Sequence, residues 1–239
     1  MLPNMDHPEA FGQHPNADIA SQIREARTLF ETLLSLQPQL TTSTGAGGQS
    51  REEKAYPSLK PLGSWTRDLV QRVEQFAKWA ETAHPPVLFW LSGFTFPTGF
   101  LTAVLQASAR LNNISVDTLS WEFIVSTVDD NNLLFPPKDG VFVKGLFLEG
   151  AGWDQKNSSL VEAQPMQLVC PIPTIHFKPV ENKKKSGKGT YACPCYYFPN
   201  RAGLSGRASF VVGVDLKSGA MQPDHWIKRG TALLMSLDS

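Results

Sequence analysis

The chain has 239 residues, enough for one generous domain or two small ones, and its 22 basic and 22 acidic residues cancel. That balance removes the electrostatic case for nucleic acid or an anionic membrane as a bulk partner. Charged residues are scarce at 18%, while 18 Gly, 18 Pro and a 10% aromatic share suit a turn-rich β structure, or a protein that packs on something larger.

Residues 1–15 are rich in His, Pro and Asn and read as an extended arm. Asn16 or Asp18 can cap a helix whose stripe is Ile19, Ile23, Ala26, Phe30, Leu33 and Leu34, and Pro38 ends it. The run Thr41 to Ser50 is low in complexity and reads as a flexible linker. Its glycines lack the G-x-x-x-x-G-K-[ST] pattern and follow no apolar strand, so they do not make a phosphate loop. A second helix starts near Ser64. Trp65, Leu69, Val73, Phe76, Trp79, Ala80 and Ala83 recur at helical spacing, and the pattern stops before His84-Pro85-Pro86.

Val87 to Leu91 is an apolar run of strand length, followed by three breaks at Gly93, Pro97 and Gly99. Phe94, Phe96 and Phe100 load that turn with aromatic bulk that water disfavours. From Thr98, read as an N-cap, the period becomes helical, with Phe100, Leu101, Val104, Leu105, Ser108 and Leu111 on one face. This stretch joins a helical half to a β half.

Beyond it the period is two. Strands are expected at Leu119 to Ser126, Val141 to Leu148, Leu168 to Val169, Thr174 to Phe177, Tyr191 to Phe198 and Phe210 to Leu216. Pro171 and Pro173 mark an edge or bulge, and Thr231 to Leu237 fits either a closing strand or a short helix. The fold class is therefore α+β: N-terminal helices, then an antiparallel, partly open β-barrel. The expected divisions are an arm and helix over 1–40, a linker over 41–63, a helical part over 64–112 and the barrel over 113–239.

Four groups of residues invite a chemical reading. Cys170, Cys193 and Cys195 with His176 offer soft metal ligands, but Cys193-Pro194-Cys195 has one intervening residue where zinc knuckles use two or more. Buried structural thiols are expected. Ser92 closes a strand as a nucleophile elbow would, with His84, His176 or His225 as conceivable bases, yet the first glycine of G-x-S-x-G is missing. Glu149, Asp154 and Glu162 lie around Gly150-Ala151-Gly152-Trp153 without the defined pair a glycosidase needs, and that glycine segment reads as a strand-end turn with Trp153 packed inward. The run Lys183-Lys184-Lys185-Ser186-Gly187-Lys188 resembles a nuclear signal or an acidic-partner patch, but reads better as a solvated hairpin loop. No catalytic, cofactor-binding or metal residue is assigned. With no signal peptide, no spanning segment and an odd cysteine count, an intracellular protein with reduced thiols is expected, and the sequons at Asn113 and Asn157 are chance matches.

Three blocks carry a family resemblance: residues 89–102 (Phe89-Trp90-Leu91-Ser92-Gly93 onward), 140–154 (with Leu146-Phe147-Leu148-Glu149-Gly150-Ala151 and Trp153-Asp154) and 225–234 (His225-Trp226-Ile227-Lys228-Arg229-Gly230 onward). In order and spacing they resemble the C-terminal domain of dynein heavy chains, the middle block being closer to the axonemal class than to the cytoplasmic one. The segment His7-Pro8-Glu9-Ala10-Phe11-Gly12 to Ile19 is similar to the heavy-chain stretch leading into the end of the motor ring. The resemblance implies a helical part and an incomplete β-barrel on one face of a ring of ATPase modules, bracing and modulating it. It implies as partners the motor-ring modules and other dynein chains, with microtubules engaged only indirectly. It places the protein in the cytoskeleton of a cilium or flagellum. ATP hydrolysis and microtubule gripping belong to other parts of a dynein, and this sequence has neither a Walker loop nor long heptads, so no enzyme activity and no cofactor are expected of it. One departure stands out: where the family has a long helical stretch before the counterpart of Trp65, this sequence passes from Glu53-Lys54 almost directly into Tyr56-Pro57-Ser58-Leu59-Lys60-Pro61. The reading from another class is a free-standing β-barrel interaction module. A metal-dependent enzyme is a distant third.

Overall fold

A computed structural model of the protein describes residues 62–82, 84–183, 187–197 and 208–235. The expected arm, first helix and most of the linker lie outside the described residues. The described elements fall into two units, the first holding one helix and the second everything from Pro86 onward.

Helix α1, Leu62–Thr82, begins slightly before the expected Ser64 and buries Trp65, Leu69 and Phe76, which share one face at helical spacing. Arg67, Gln71, Glu74 and Lys78 are exposed or half-exposed, as is Ala80, which the periodicity puts on the apolar face. At its end the Thr82 hydroxyl bonds the carbonyl of Lys78 at 2.8 Å, satisfying one of the last-turn carbonyls.

In the second unit, β1 (Leu88–Trp90) runs into a buried 3-10 turn, Leu91–Gly93, and then α2, Pro97–Asn112. The helix starts on Pro97 at its first turn, a position where a missing N–H costs nothing, so Thr98 is not the cap. Phe94 stacks on Phe100 with ring centroids 4.1 Å apart, and Phe89 meets Phe100 at 4.9 Å. Phe96 stays 69% exposed and Leu111 74% exposed, so both depart from the expected apolar packing.

Among the described residues there are eleven strands: β1, β2 (Leu119–Val125), β3 (Val141–Lys144), β4 (Phe147–Glu149), β5 (Gly152–Asp154), β6 (Ser159–Val161), β7 (Val169–Pro171), β8 (Ile175–Glu181), β9 (Thr190–Tyr197), β10 (Ser209–Lys217) and β11 (Ala232–Leu234). They pair as a four-stranded sheet in the order β1-β3-β8-β2, a five-stranded sheet in the order β10-β9-β11-β4-β7, and the separate pair β5-β6. The sheets are mixed: β1 is parallel to β3, and β11 is parallel to β9. The expectation of purely antiparallel pairing is thus corrected. Among the described residues no sheet closes on itself.

The two large sheets are joined by short sharp turns. The expected strand Val141 to Leu148 is divided at Gly145, which at φ +76° turns the backbone from β3 in the first sheet to β4 in the second. An added Cβ there would stand 2.6 Å from the Trp90 indole, so glycine serves both the turn and the close approach. The passage from β7 to β8, through Ile172 and Pro173, changes sheet in the same way. Pro171 occupies the outer strand of its sheet, as proline requires.

The core of this unit gathers the rows that alternation turns inward. Phe89, Val143 and Ile175 form one row across β1, β3 and β8, and all are at most 3% exposed. Leu148 and Leu233 face each other across β4 and β11 and are fully buried. A short helix, α3 (Pro223–Arg229), precedes β11 and buries Trp226 completely. Thr231 to Leu237 therefore opens as a strand, and an interior one.

Candidate functional site

The sheet order separates the candidate metal ligands. Cys195 lies opposite Leu233, Leu233 opposite Leu148, and Leu148 opposite Cys170, so Cys195 and Cys170 sit in one row with two whole strands between them. Three inter-strand spacings put them about 14 Å apart, far beyond what two thiolates on one zinc allow. His176 is on the other large sheet, its Nε2 2.8 Å from the Asp139 carbonyl. Among the described residues no group of three or more His, Cys, Asp or Glu side chains is placed to hold a metal ion.

Two of the three thiols are core atoms, as expected, whereas Cys170 is only half-buried. Cys193 and Cys195 are fully buried on one face of β9. Burial pushes the Cys195 thiol up to about 12, and burial together with neighbouring Cys195 pushes Cys193 up as well. Tyr191 is raised to about 12, first by burial and then by Cys193 and Tyr196, while its hydroxyl donates to the Thr231 carbonyl at 2.6 Å. All three groups are neutral in the fold. In the unfolded state thiols ionise near 9 and tyrosine near 10, so that state loses protons first as pH rises. Stability is therefore expected to hold up to about pH 9 and to fall progressively toward pH 12. Denaturant midpoints measured across that range check the sign, and a midpoint that rises would contradict it. In native buffer at neutral pH, a thiol reagent is expected to modify half-buried Cys170 and to reach the other two cysteines only on unfolding.

Ser92 is 1% exposed, and its hydroxyl has no hydrogen-bond partner among the described residues. None of the conceivable bases engages it: His84 is exposed, His176 faces Asp139, and His225 Nε2 lies 2.6 Å from a carboxylate oxygen of Glu162. The carboxylates are committed to local structure too. Asp154 accepts from the Asn157 side chain at 2.6 Å and from the Lys156 and Asn157 backbone, and the Asn157 side chain is the main cause that holds it below the usual range. Glu162 also takes the Arg229 guanidinium, so α3 is tied to the segment after β6. Glu149 ends β4, opposite Ala232 and Val169. The expected turn at Gly150-Ala151-Gly152-Trp153-Asp154 runs into a strand, β5, paired with β6. Lys183 turns back to pair with Asp215 and stands 5.2 Å over the Phe123 ring, so this end of the charge run is a clasp between β2 and β10. Those two outer strands come within 8 Å, Cα to Cα.

The polar centre that sequence reasoning did not single out is Asp139. Its carboxylate accepts from Ser108 at 2.7 Å and Asn112 at 3.2 Å on α2, and from the Gly140 N–H at 2.8 Å. With three donors it fixes the helix to the segment entering β3. The Asp-Gly dipeptide before an apolar run was its only signal, and that signal reads as a turn. Thr174 and Asp130 form a similar tie at 2.5 Å. These contacts hold elements together.

The family model for the C-terminal domain of dynein heavy chains matches residues 52–235. The protein is 57% identical to "Dynein axonemal heavy chain 2" of Homo sapiens over its whole length and spans 7% of that relative. It is 42% identical to "Dynein-1-beta heavy chain, flagellar inner arm I1 complex" of Chlamydomonas reinhardtii over 99% of its length, again 7% of the relative. The match to "Dynein axonemal heavy chain 3" of Homo sapiens, 42% identical, takes in 78% of this sequence over 193 positions and 4% of the relative. The alignment with the human axonemal heavy chain 2 runs over 328 positions, of which these 239 residues fill at most 239, so at least 89 positions (328 less 239) have no counterpart here. The family-model match over most of the sequence, with identity this high to axonemal relatives, is decisive: the protein belongs to the dynein heavy chain family, as its C-terminal domain.

Proposed function

We propose that this protein is a non-catalytic structural and regulatory domain of an axonemal dynein heavy chain, bracing the ATPase motor ring in microtubule-based movement. The observation that carries the reading is the family match over residues 52–235. The geometry is in keeping with it, because the candidate cysteines, serine and carboxylates are buried, set in paired strands or committed to local ties. In this reading the two large sheets act together as a partly open barrel, clasped where Lys183 meets Asp215, with α1 and α2 as the helical part; divisions at 64–112 and 113–239 follow from that. The partners are the ring modules and other dynein chains, microtubules are reached only through them, and the place of action is the axoneme of a cilium or flagellum.

The test pairs two measurements. The protein, mixed with a recombinant axonemal motor ring lacking its own C-terminal domain, is expected to co-elute with the ring and to change its ATPase rate. Titration of Mg·ATP into the protein alone is expected to give no saturable binding. Tight, magnesium-dependent nucleotide binding by the protein, or failure to associate with the ring, would overturn the proposal.

A further inference from the structure

We infer that the seam between β2 and β10 is a latched opening, held shut by the charge of Lys183 and loosened by salt. Both are outer strands of their sheets, and among the described residues no ladder joins them. They approach within 8 Å, Cα to Cα, so side chains close the gap between them. A cleft of about 510 Å³ runs along it, lined by Glu122 and Phe123 of β2, Glu181 of β8, Thr190 of β9, and Asp215 and Lys217 of β10. Among the described residues, the ion pair that crosses from one large sheet to the other is Lys183 with Asp215. Lys183 is aimed by its neighbour: Asn182 takes the left-handed conformation at φ +49°, and its N–H bonds the Thr118 carbonyl at 3.0 Å. The same ammonium stands 5.2 Å over the Phe123 ring, and that ring meets fully buried Phe177 edge-on at 5.0 Å. The latch therefore lies directly over the core. The Lys183 side chain is 27% exposed and that of Asp215 18%, which is enough burial for the attraction to count and enough water for salt to screen it. Helix α2 also approaches both strands, so release of the latch opens the cleft without unfolding the unit. The inference is independent of the motor-ring role.

Labelling kinetics on the 239-residue protein test it. Thr190→Cys, in a Cys170→Ser background, puts a reporter thiol on the cleft wall, and N-ethylmaleimide is an uncharged probe of its access. Adding Lys183→Gln is expected to speed labelling about fivefold, the scale of a partly exposed ion pair joined by a cation–π contact. Lys183→Arg keeps the charge and is expected to stay within about twofold. With Lys183 in place, raising sodium chloride from about 0.05 M to about 1 M is expected to speed labelling too, an effect absent from the Lys183→Gln protein. Cys193 and Cys195, fully buried on β9, report the integrity of the unit and are expected to stay unlabelled throughout. Labelling unchanged by Lys183→Gln, equal acceleration by Lys183→Arg, or exposure of Cys193 and Cys195 alongside the reporter would overturn the inference.

Discussion

Trp226→Ala is expected to cost about 3–5 kcal/mol of unfolding free energy, a large share of what a domain this size possesses. The indole is fully buried, and its Nε1–H donates to the Ser218 carbonyl at 3.0 Å. It also anchors the backbone as it turns into the five-stranded sheet: Gly230 adopts the left-handed conformation at φ +68°, and the Thr231 N–H bonds the Trp226 carbonyl at 3.0 Å. The Thr231 carbonyl in turn receives the Tyr191 hydroxyl, so loosening α3 disturbs β11 between both of its neighbours. Truncation removes a large apolar volume and strands a buried acceptor together. Two companions separate these causes. Trp226→Phe keeps most of the packing and is expected to cost about 1–3 kcal/mol. Ile227→Ala, on the same helix but 62% exposed, is expected to stay within about 0.5 kcal/mol. Denaturant melts read all three, and a Trp226→Ala loss no larger than that of Ile227→Ala would refute the anchoring role.

Local sequence pattern stops informing in the region of Trp226, and the reason is length. Long strands are legible because alternation persists: Leu119 to Ser126 became β2, Tyr191 to Phe198 became β9, and Phe210 to Leu216 became β10, each within a residue or so. Helix α3 has seven residues and one buried side chain, too little for a period to show; only Pro223 at its start and Gly230 at its end announce it. Strands β5 and β6 have three residues each and are equally silent. Nor does alternation reveal a partner. The parallel pairings of β1 with β3 and β11 with β9 join segments distant in the sequence, and Val141 to Leu148 reads as one strand because a change of sheet leaves its apolar run intact. The weakness of the metal and serine readings is legible from spacing and from the missing glycine. The Asp139 tie is not, because it unites α2 with a loop far along the sequence.

Gly140→Ala is expected to be comparably severe, at about 3–5 kcal/mol, although it adds only one carbon. Gly140 holds φ +78° directly before β3, and its N–H is one of the three donors on Asp139. A Cβ built there would lie 2.0 Å from the Phe177 carbonyl oxygen and 2.8 Å from the Pro179 ring. Both obstacles belong to β8, whose Phe177 pairs with Val141 and is itself fully buried, so the backbone that must yield is in the middle of the four-stranded sheet. Two other glycines separate dihedral strain from collision. Gly189 sits at φ +95° with open space around its missing Cβ, so Gly189→Ala should carry the backbone cost alone, about 1 kcal/mol. Gly213, in β10, has ordinary φ and nothing within 4 Å, so Gly213→Ala should be neutral or slightly stabilising through the unfolded state. Unfolding free energies in the order Gly213, Gly189, Gly140 from least to most damaged are the expected result. If Gly140→Ala costs no more than Gly189→Ala, β8 gives way at little cost, and the close approach of the β3 entry to Phe177 is not what fixes the register of this sheet.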